Sequence, residues 1–528
     1  MPLMVRLTRM ALTSSEATQR PCQSLEMADL PGPRLYRFVL GEDEQPSDEL
    51  EELGDVFGAE VLGAGRFPRT ALELLDQIDA AGNTAVGRST EKSFVVGEGI
   101  NLGGQADSNL RVIVTRGEGA DGPDLMLSAG SPQATSIEVM AWDPREGGFN
   151  FYRTANAQAA WIFAGRSRHA LESSTERHGV FESHRSGTFL MKELTSPWTH
   201  WHSSRTPAPD DAMLPEDLRG HRWVLPADQA EGTLHRADDC EKQVARPAIR
   251  RWAKHRLAGQ PDAAQLRRAF RQLLQSDAVN LSSSPTSSAT IEADSLNLPS
   301  SFFFDSEAFR ILGLPGTAAF QVEGRFYAET LRRFKVRLED GRGFTREGDT
   351  QFAFLVPERA EEDQAVLREL VGDRHISKRL AACLLMVDFP NPVFSARRRS
   401  LLSHLPEEAR SPADFSEAFR ASIEGGTDDS AGPEAEFGEL WAASETVCPS
   451  IAFEERLRAY YDAVAERLKT PDGIDDIFKL AESRRAVVRA MPIHESRLLF
   501  ATSRISSDGV ARTMTSTATL IEDNEAEE

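Results

Sequence analysis

The sequence predicts an α+β fold: an N-terminal antiparallel β sandwich or barrel, followed by mixed and mainly helical regions. Three observations carry this. Residues 55–205 hold about seven short apolar runs separated by Gly-rich links, the pattern of an antiparallel sandwich or barrel. Residues 453–468 place Leu457, Tyr460, Tyr461, Val464 and Leu468 at helical spacing. Pro- and Gly-rich stretches at Thr206–Asp211 and Gly425–Glu436 divide the 528 residues into segments of domain size.

In the first region, Leu72, Leu74, Leu75 and Ile78 predict a helix over Pro68–Ala81. Strands are expected at Ser93–Val96, Leu110–Thr115, Asp124–Ser128, Ser136–Trp142, Gly148–Arg153, Ala160–Ala164 and Thr188–Leu194. The turn formers Asp143-Pro144-Arg145-Glu146-Gly147 join two of them as a hairpin, with Ile137, Val139 and Ala141 on one face and Phe149 and Phe151 sharing a face of the second arm. Residues 1–54 read as a partly disordered leader.

Residues 206–424 read as a mixed α/β region. Helices are expected at Glu241–Leu257, Ala263–Leu274, Ala360–Val371 and Ser377–Leu385, and extended segments at Phe320–Val322, Phe334–Leu338 and Gln351–Val356. Residues 280–290 form a Ser-rich loop, and Leu385–Phe389 fits either helix or buried strand. Residues 437–520 are expected to be helical, and 521–528 to be an acidic, disordered tail.

Composition narrows the function. With 60 basic against 82 acidic residues the net charge is −22, which opposes nucleic acid or an anionic membrane as a main partner. Arg246–Arg251 and Arg397–Arg399 are local exceptions, read as solvated faces. No run approaches the ~20 apolar residues of a membrane helix, and Arg6 and Arg9 precede no apolar block of signal-peptide length. The four cysteines lie far apart without a C-x-x-C pair, which speaks against zinc ribbons, iron–sulfur clusters and a disulfide framework. A cytoplasmic protein acting on a small-molecule ligand or substrate is expected; oligomeric state is not legible.

The densest chemistry lies between His169 and His202, which hold five of the eleven histidines. In Pro197-Trp198-Thr199-His200-Trp201-His202, an extended backbone turns His200 and His202 to one face. Two imidazoles there suit iron, zinc or copper, or a haem, with His221 as a third ligand and Trp198 and Trp201 as cofactor-facing aromatics. His178 and Glu193 are further ligand candidates. Glu182 and His184 would share a face if extended, and such a pair can act as general base or orient a ligand. The competing reading is an aromatic core edge in which these imidazoles only form hydrogen bonds.

Other motifs fail on spacing. Gly97–Gly104 lacks G-x-G-x-x-G and a following helix, Ser89–Lys92 matches S-x-x-K without its companions, and neither H-E-x-x-H nor G-x-S-x-G occurs. Asp388, before Pro390-Asn391-Pro392, reads as a turn cap. The sequence therefore points to a metal- or haem-dependent enzyme, with oxidoreductase as the favoured class. Its rival is a non-catalytic small-ligand-binding or scaffold protein with an acidic surface.

Overall fold

The computed structural model describes residues 29–42, 50–97, 110–117, 119, 121–182, 184–189, 194–195, 199–200, 214–276, 279–282, 295–317, 319–333, 337–339, 345–347, 356–426 and 431–490. The chain forms two compact units, Met1–Pro197 with Trp201–His255, and Trp198–His200 with Arg256–Glu528. They divide between His255 and Arg256; the Thr206–Asp211 segment lies outside the described residues.

The first unit is built on strands β1 (Arg34–Arg37), β2 (Lys92–Gly97), β3 (Leu110–Arg116), β4 (Leu125–Ala129), β5 (Ile137–Asp143), β6 (Gly148–Thr154) and β7 (Ala160–Arg166). Short strands β8 (Leu194–Thr195) and β10 (Leu234–His235) follow, while β9 (Thr199–His200) belongs to the second unit. Eight of them form one sheet in the order β1-β7-β6-β5-β4-β3-β2-β10. Strands β2 to β7 are an antiparallel meander, whereas β1 joins β7 and β10 joins β2 in parallel.

The expected sandwich or barrel is therefore replaced by one open, mixed sheet. The alternating strands were legible because apolar residues repeat every second position. What covers them was not, because a helix layer and a second sheet demand the same apolar faces. The Thr70 hydroxyl caps helix α1 (Ala71–Ala80) by accepting from Glu73 N–H, and the helix buries Ala71, Leu74, Leu75 and Ile78. These residues pack on Val112, Val114, Leu125, Leu127, Val139, Ala141 and Trp161. The opposite face is buried too: Met140, Trp142, Phe149, Phe151 and Ile162 are all shielded. The loop after β7 and helix Arg246–Leu257, whose residues up to His255 belong to this unit, cover parts of it through Phe181 on Phe151 and His255 on Trp142. Phe149 and Phe151 thus share a buried face as expected, and their neighbours Asn150 and Tyr152 are equally buried on the other.

A register shift between Phe151 and Tyr152 bends β6 against β7. Opposite it, Gly165 has φ +128°, and a Cβ there would lie 3.0 Å from the Phe181 ring and 2.9 Å from His169 Nδ1. This glycine lets the loop after β7 close on the sheet.

The second unit is mainly helical. Helices Ala263–Leu274, Ser306–Leu312, Glu361–Gly372, Lys378–Met386, Pro412–Gly425, Pro433–Ala443, Glu454–Arg467 and Pro471–Ala490 are its main elements. They share a core that includes Phe270, Phe309, Leu384, Phe389, Phe415 and Tyr460. Three antiparallel strand pairs accompany them, Val279–Ser282 with Val356–Arg359, Ser295–Pro299 with Ala319–Glu323 and Arg337–Glu339 with Thr345–Glu347. Asn280–Ser282 of the expected Ser-rich loop is thus strand; residues 283–294 lie outside the described ones.

The Gly425–Glu436 linker is also corrected: helix runs through Gly425 and resumes at Pro433, the favoured first position of a helix. Leu385–Phe389 is helix end and turn rather than strand. Asp388, at φ 51°, accepts from Asn391 Nδ2 and Ser395 Oγ, so it ties the turn through side chains rather than by the backbone capping expected. The arginine clusters are not merely solvated. Arg398 is buried and donates to the Val387, Asn391 and Pro392 carbonyls, while Arg251 lies over Trp142 and pairs with Asp124. No helix among the described residues is long and apolar enough to cross a membrane.

Candidate functional site

The register of the meander sets what lines the sheet face opposite α1. Met140 pairs with Phe151, Glu138 with Arg153 and Ser128 with Glu138. Side chains two apart share a face, so the apolar run Trp142, Phe149, Phe151 and Met140 gives way toward one end to Glu138 and Arg153. Arg111 of β3 falls on the same face, two residues from Ile113, which pairs with Ser128.

His184 packs against this face, its ring 5.2 Å from that of Phe151. Its Nδ1 lies 2.8 Å from Thr188 O. A carbonyl oxygen only accepts, so Nδ1 carries the proton and Nε2 keeps its lone pair. Burial holds the imidazole below its ordinary pKa, opposed by the Thr188 carbonyl and by Glu138 and reinforced by Arg111. The result is a neutral imidazole with a fixed tautomer. That is how protein ligands for metals are commonly oriented, with the second nitrogen held by a backbone carbonyl.

A different histidine has carboxylates close by. Ligand atoms of Glu42, His169 and Glu172 lie within 4.8 Å of one another. The hydrogen bonding nevertheless argues against a metal. Arg166 N–H donates to His169 Nδ1 at 3.0 Å, which places the imidazole proton on Nε2, facing Glu42 Oε1 at 3.6 Å. Neither nitrogen then offers a lone pair to an ion between the carboxylates. Glu42 also pairs with Arg37 at 2.6 Å. Burial, with Arg168, Arg37 and Arg166 nearby, pushes the His169 pKa down to about 3. This group reads as a tie between β1 and the loop after β7.

The other residues expected at the site separate. Gly179–Glu182 is a 3₁₀ turn and His184 N–H donates to Val180 O, so the Glu182–His184 stretch is not extended and Glu182 points to solvent. The loop tightens because Gly179 and Gly187 adopt positive φ. His178 is exposed in the preceding turn. Thr188 lies in a bend, so no strand begins there.

His221 belongs to the α1 face. Its ring meets Trp223 edge-on at 4.9 Å, and Trp223 packs with the α1 cluster, the side of the sheet away from Phe151 and His184. His221 therefore does not join His184 at one site. Only the backbone of His200 is described, in β9; Glu193, Trp198, Trp201 and His202 lie outside the described residues.

In the second unit, His404 reaches Ser422 Oγ through Nδ1 and Glu434 Oε1 through Nε2, both at 3.1 Å. This has the order of a hydrolytic triad, but Ser422 sits in the last turn of helix Pro412–Gly425. The carbonyl ends there carry negative potential, the wrong sign for an oxyanion. We read it as a tie between helices.

Sequence reasoning missed Glu138 and Arg111 as charges acting on His184. Glu138 was within reach, because it lies on an arm of the hairpin that the sequence drew. Arg111 required the order of the whole sheet. The chain matches no protein-family model, no curated protein and no solved structure.

Proposed function

We propose that the chain is a metal-dependent enzyme, with oxidoreductase as the favoured reaction class and a small molecule as substrate. In this reading His184 supplies an imidazole nitrogen through Nε2 to a transition metal (iron, zinc or copper) or to a haem iron, and His200 and His202 are kept from the sequence as ligand candidates in their own right. One observation carries it: the 2.8 Å bond from His184 Nδ1 to Thr188 O, which leaves a neutral, oriented Nε2. The surroundings support it. Phe151 gives the ring an apolar wall, and Glu138 provides a carboxylate on the same face for proton transfer. Glu182, exposed in its turn, is set aside as the general base, and His221 as a ligand in this set.

Metal analysis and an ultraviolet–visible spectrum of the purified full chain test this. We expect near-stoichiometric metal or haem, and at least a tenfold loss in His184→Ala, since a divalent ion held by three or four ligands is bound poorly once one is removed. A cooperative thermal transition in the variant separates loss of the ligand from loss of the fold. A metal-free, haem-free wild type after growth with iron, zinc and copper, or an unchanged content in His184→Ala, overturns the reading in favour of a ligand-binding protein.

A further inference from the structure

A second buried group lies on the α1 face, in the first unit. Asp55, in the turn after Leu53, and Asp143, at the end of β5, are both fully buried. Both carboxyls accept from one donor: Asn150 Nδ2 lies 2.6 Å from Asp55 Oδ2 and 3.1 Å from Asp143 Oδ2. Tyr152 OH meets Asp55 Oδ2 at 2.5 Å, and Gly58 N–H donates to Asp55 Oδ1. Gly54 N–H and Arg145 N–H donate to Asp143. Among the described residues neither carboxyl forms an ion pair.

We propose that Asp55 holds a proton, and that this proton latches the Leu53–Leu62 segment onto the sheet. A carboxyl out of water with no counter-charge, bound to the same amide as a second carboxyl, ionises only at extra cost, because burial and the neighbouring Asp143 act in the same direction. The charged groups nearby do not relieve this. Arg145 lays its side-chain carbons beside Gly54, Arg166 is engaged by Glu146 at 2.6 Å, and Glu60 of the segment itself accepts from Asn83. Tyr152 stays neutral, its hydroxyl held well above the ordinary tyrosine range by burial and by Asp55. Full burial without a counter-charge places the proton on Asp55, although Tyr152, Asn150 and Gly58 all donate to its oxygens and favour the ionised form. Burial accordingly raises Asp55 from 3.8 to about 6, against the pull of Asn150, Gly58 and Tyr152.

The consequence has a definite sign. A carboxyl whose pKa is higher in the closed segment than in the open one stabilises closure below the open-state value. That contribution is lost as pH rises through the closed-state value. Opening of 53–62 should grow up to about tenfold per pH unit between about pH 4 and 6, and level off above that.

Hydrogen exchange of the intact chain, corrected for intrinsic rates, reads this on peptides spanning 53–62, with β5 and β6 as reference. The expected result is a fall in protection of 53–62 approaching a hundredfold from pH 4 to 7, with the reference changing far less. Asp55→Asn should flatten that slope. Should Asp55→Asn fail to fold, the infrared carbonyl stretch of a protonated carboxyl in the wild type, present at pH 5 and absent at pH 8, decides independently. Protection of 53–62 that does not vary between pH 4 and 7, or no protonated carboxyl at pH 5, overturns the proposal.

Discussion

The two faces of the eight-stranded sheet treat buried polarity in opposite ways. On the α1 face, around Arg116, each buried charge is met by several partners. Arg116, fully buried, donates through Nε and Nη2 to Glu91 and through Nη1 to Asp79. Glu91 in turn accepts from Arg222 and from the Trp223 indole. These bonds hold the Glu91 carboxyl below its usual range, although burial alone would raise it. On the other face His184 has one nitrogen committed and one held with a lone pair. The contrast teaches where to look for chemistry: a buried group whose bonds are all made is architecture, and an oriented group with a lone pair to offer is a candidate for function.

The largest effect should come from breaking the closed network. Glu91→Gln leaves the Arg116 guanidinium buried with its main counter-charge gone, and should cost about 3–5 kcal/mol. Urea unfolding followed by tryptophan fluorescence reads this through Trp223 and Trp161. A loss under about 1 kcal/mol would show that the network is wet and that the contrast between the faces fails.

A middling effect belongs to His169. Its folded pKa is depressed to about 3, below the unfolded value of 6.5. Its contribution is therefore present above pH 6.5 and lost as pH falls toward 3. The acid limb of stability should reflect on the order of 2–3 kcal/mol by pH 4, and His169→Asn should remove that slope. Asp55 acts in the opposite direction over part of this range, so the two variants measured together separate a face that loosens in acid from a latch that tightens.

The smallest effect sharpens the picture of the cover itself. Thr70→Ala removes the cap of α1, where Oγ1 accepts from Glu73 N–H at 3.2 Å, and should cost about 1 kcal/mol. Differential scanning calorimetry should show a modest fall in midpoint, with the metal content proposed for His184 unchanged. A change in metal content would mean that α1 and the His184 face are coupled through the sheet.

The sequence by itself determined the meander and the helices. Six of its strands and helix α1 follow from apolar residues at periods of 2 and 3.6, which are properties of neighbours along the chain. Helices Ala263–Leu274, Glu361–Gly372, Lys378–Met386 and Glu454–Arg467 follow for the same reason. The sequence also located the histidine-rich stretch, but it put Glu182 and His184 on one face only if that stretch is extended, because spacing alone does not show that Gly179 and Gly187 turn the chain twice. Only the tertiary structure decided that the sheet is open and mixed, since β1 and β10 attach by parallel pairing across long stretches of sequence that leave no local pattern. It also decided that His221 and His184 lie on opposite faces. The buried pairings of Asp55 with Asp143 and Glu91 with Arg116 belong to the same class, because which charges meet out of water depends on which faces meet.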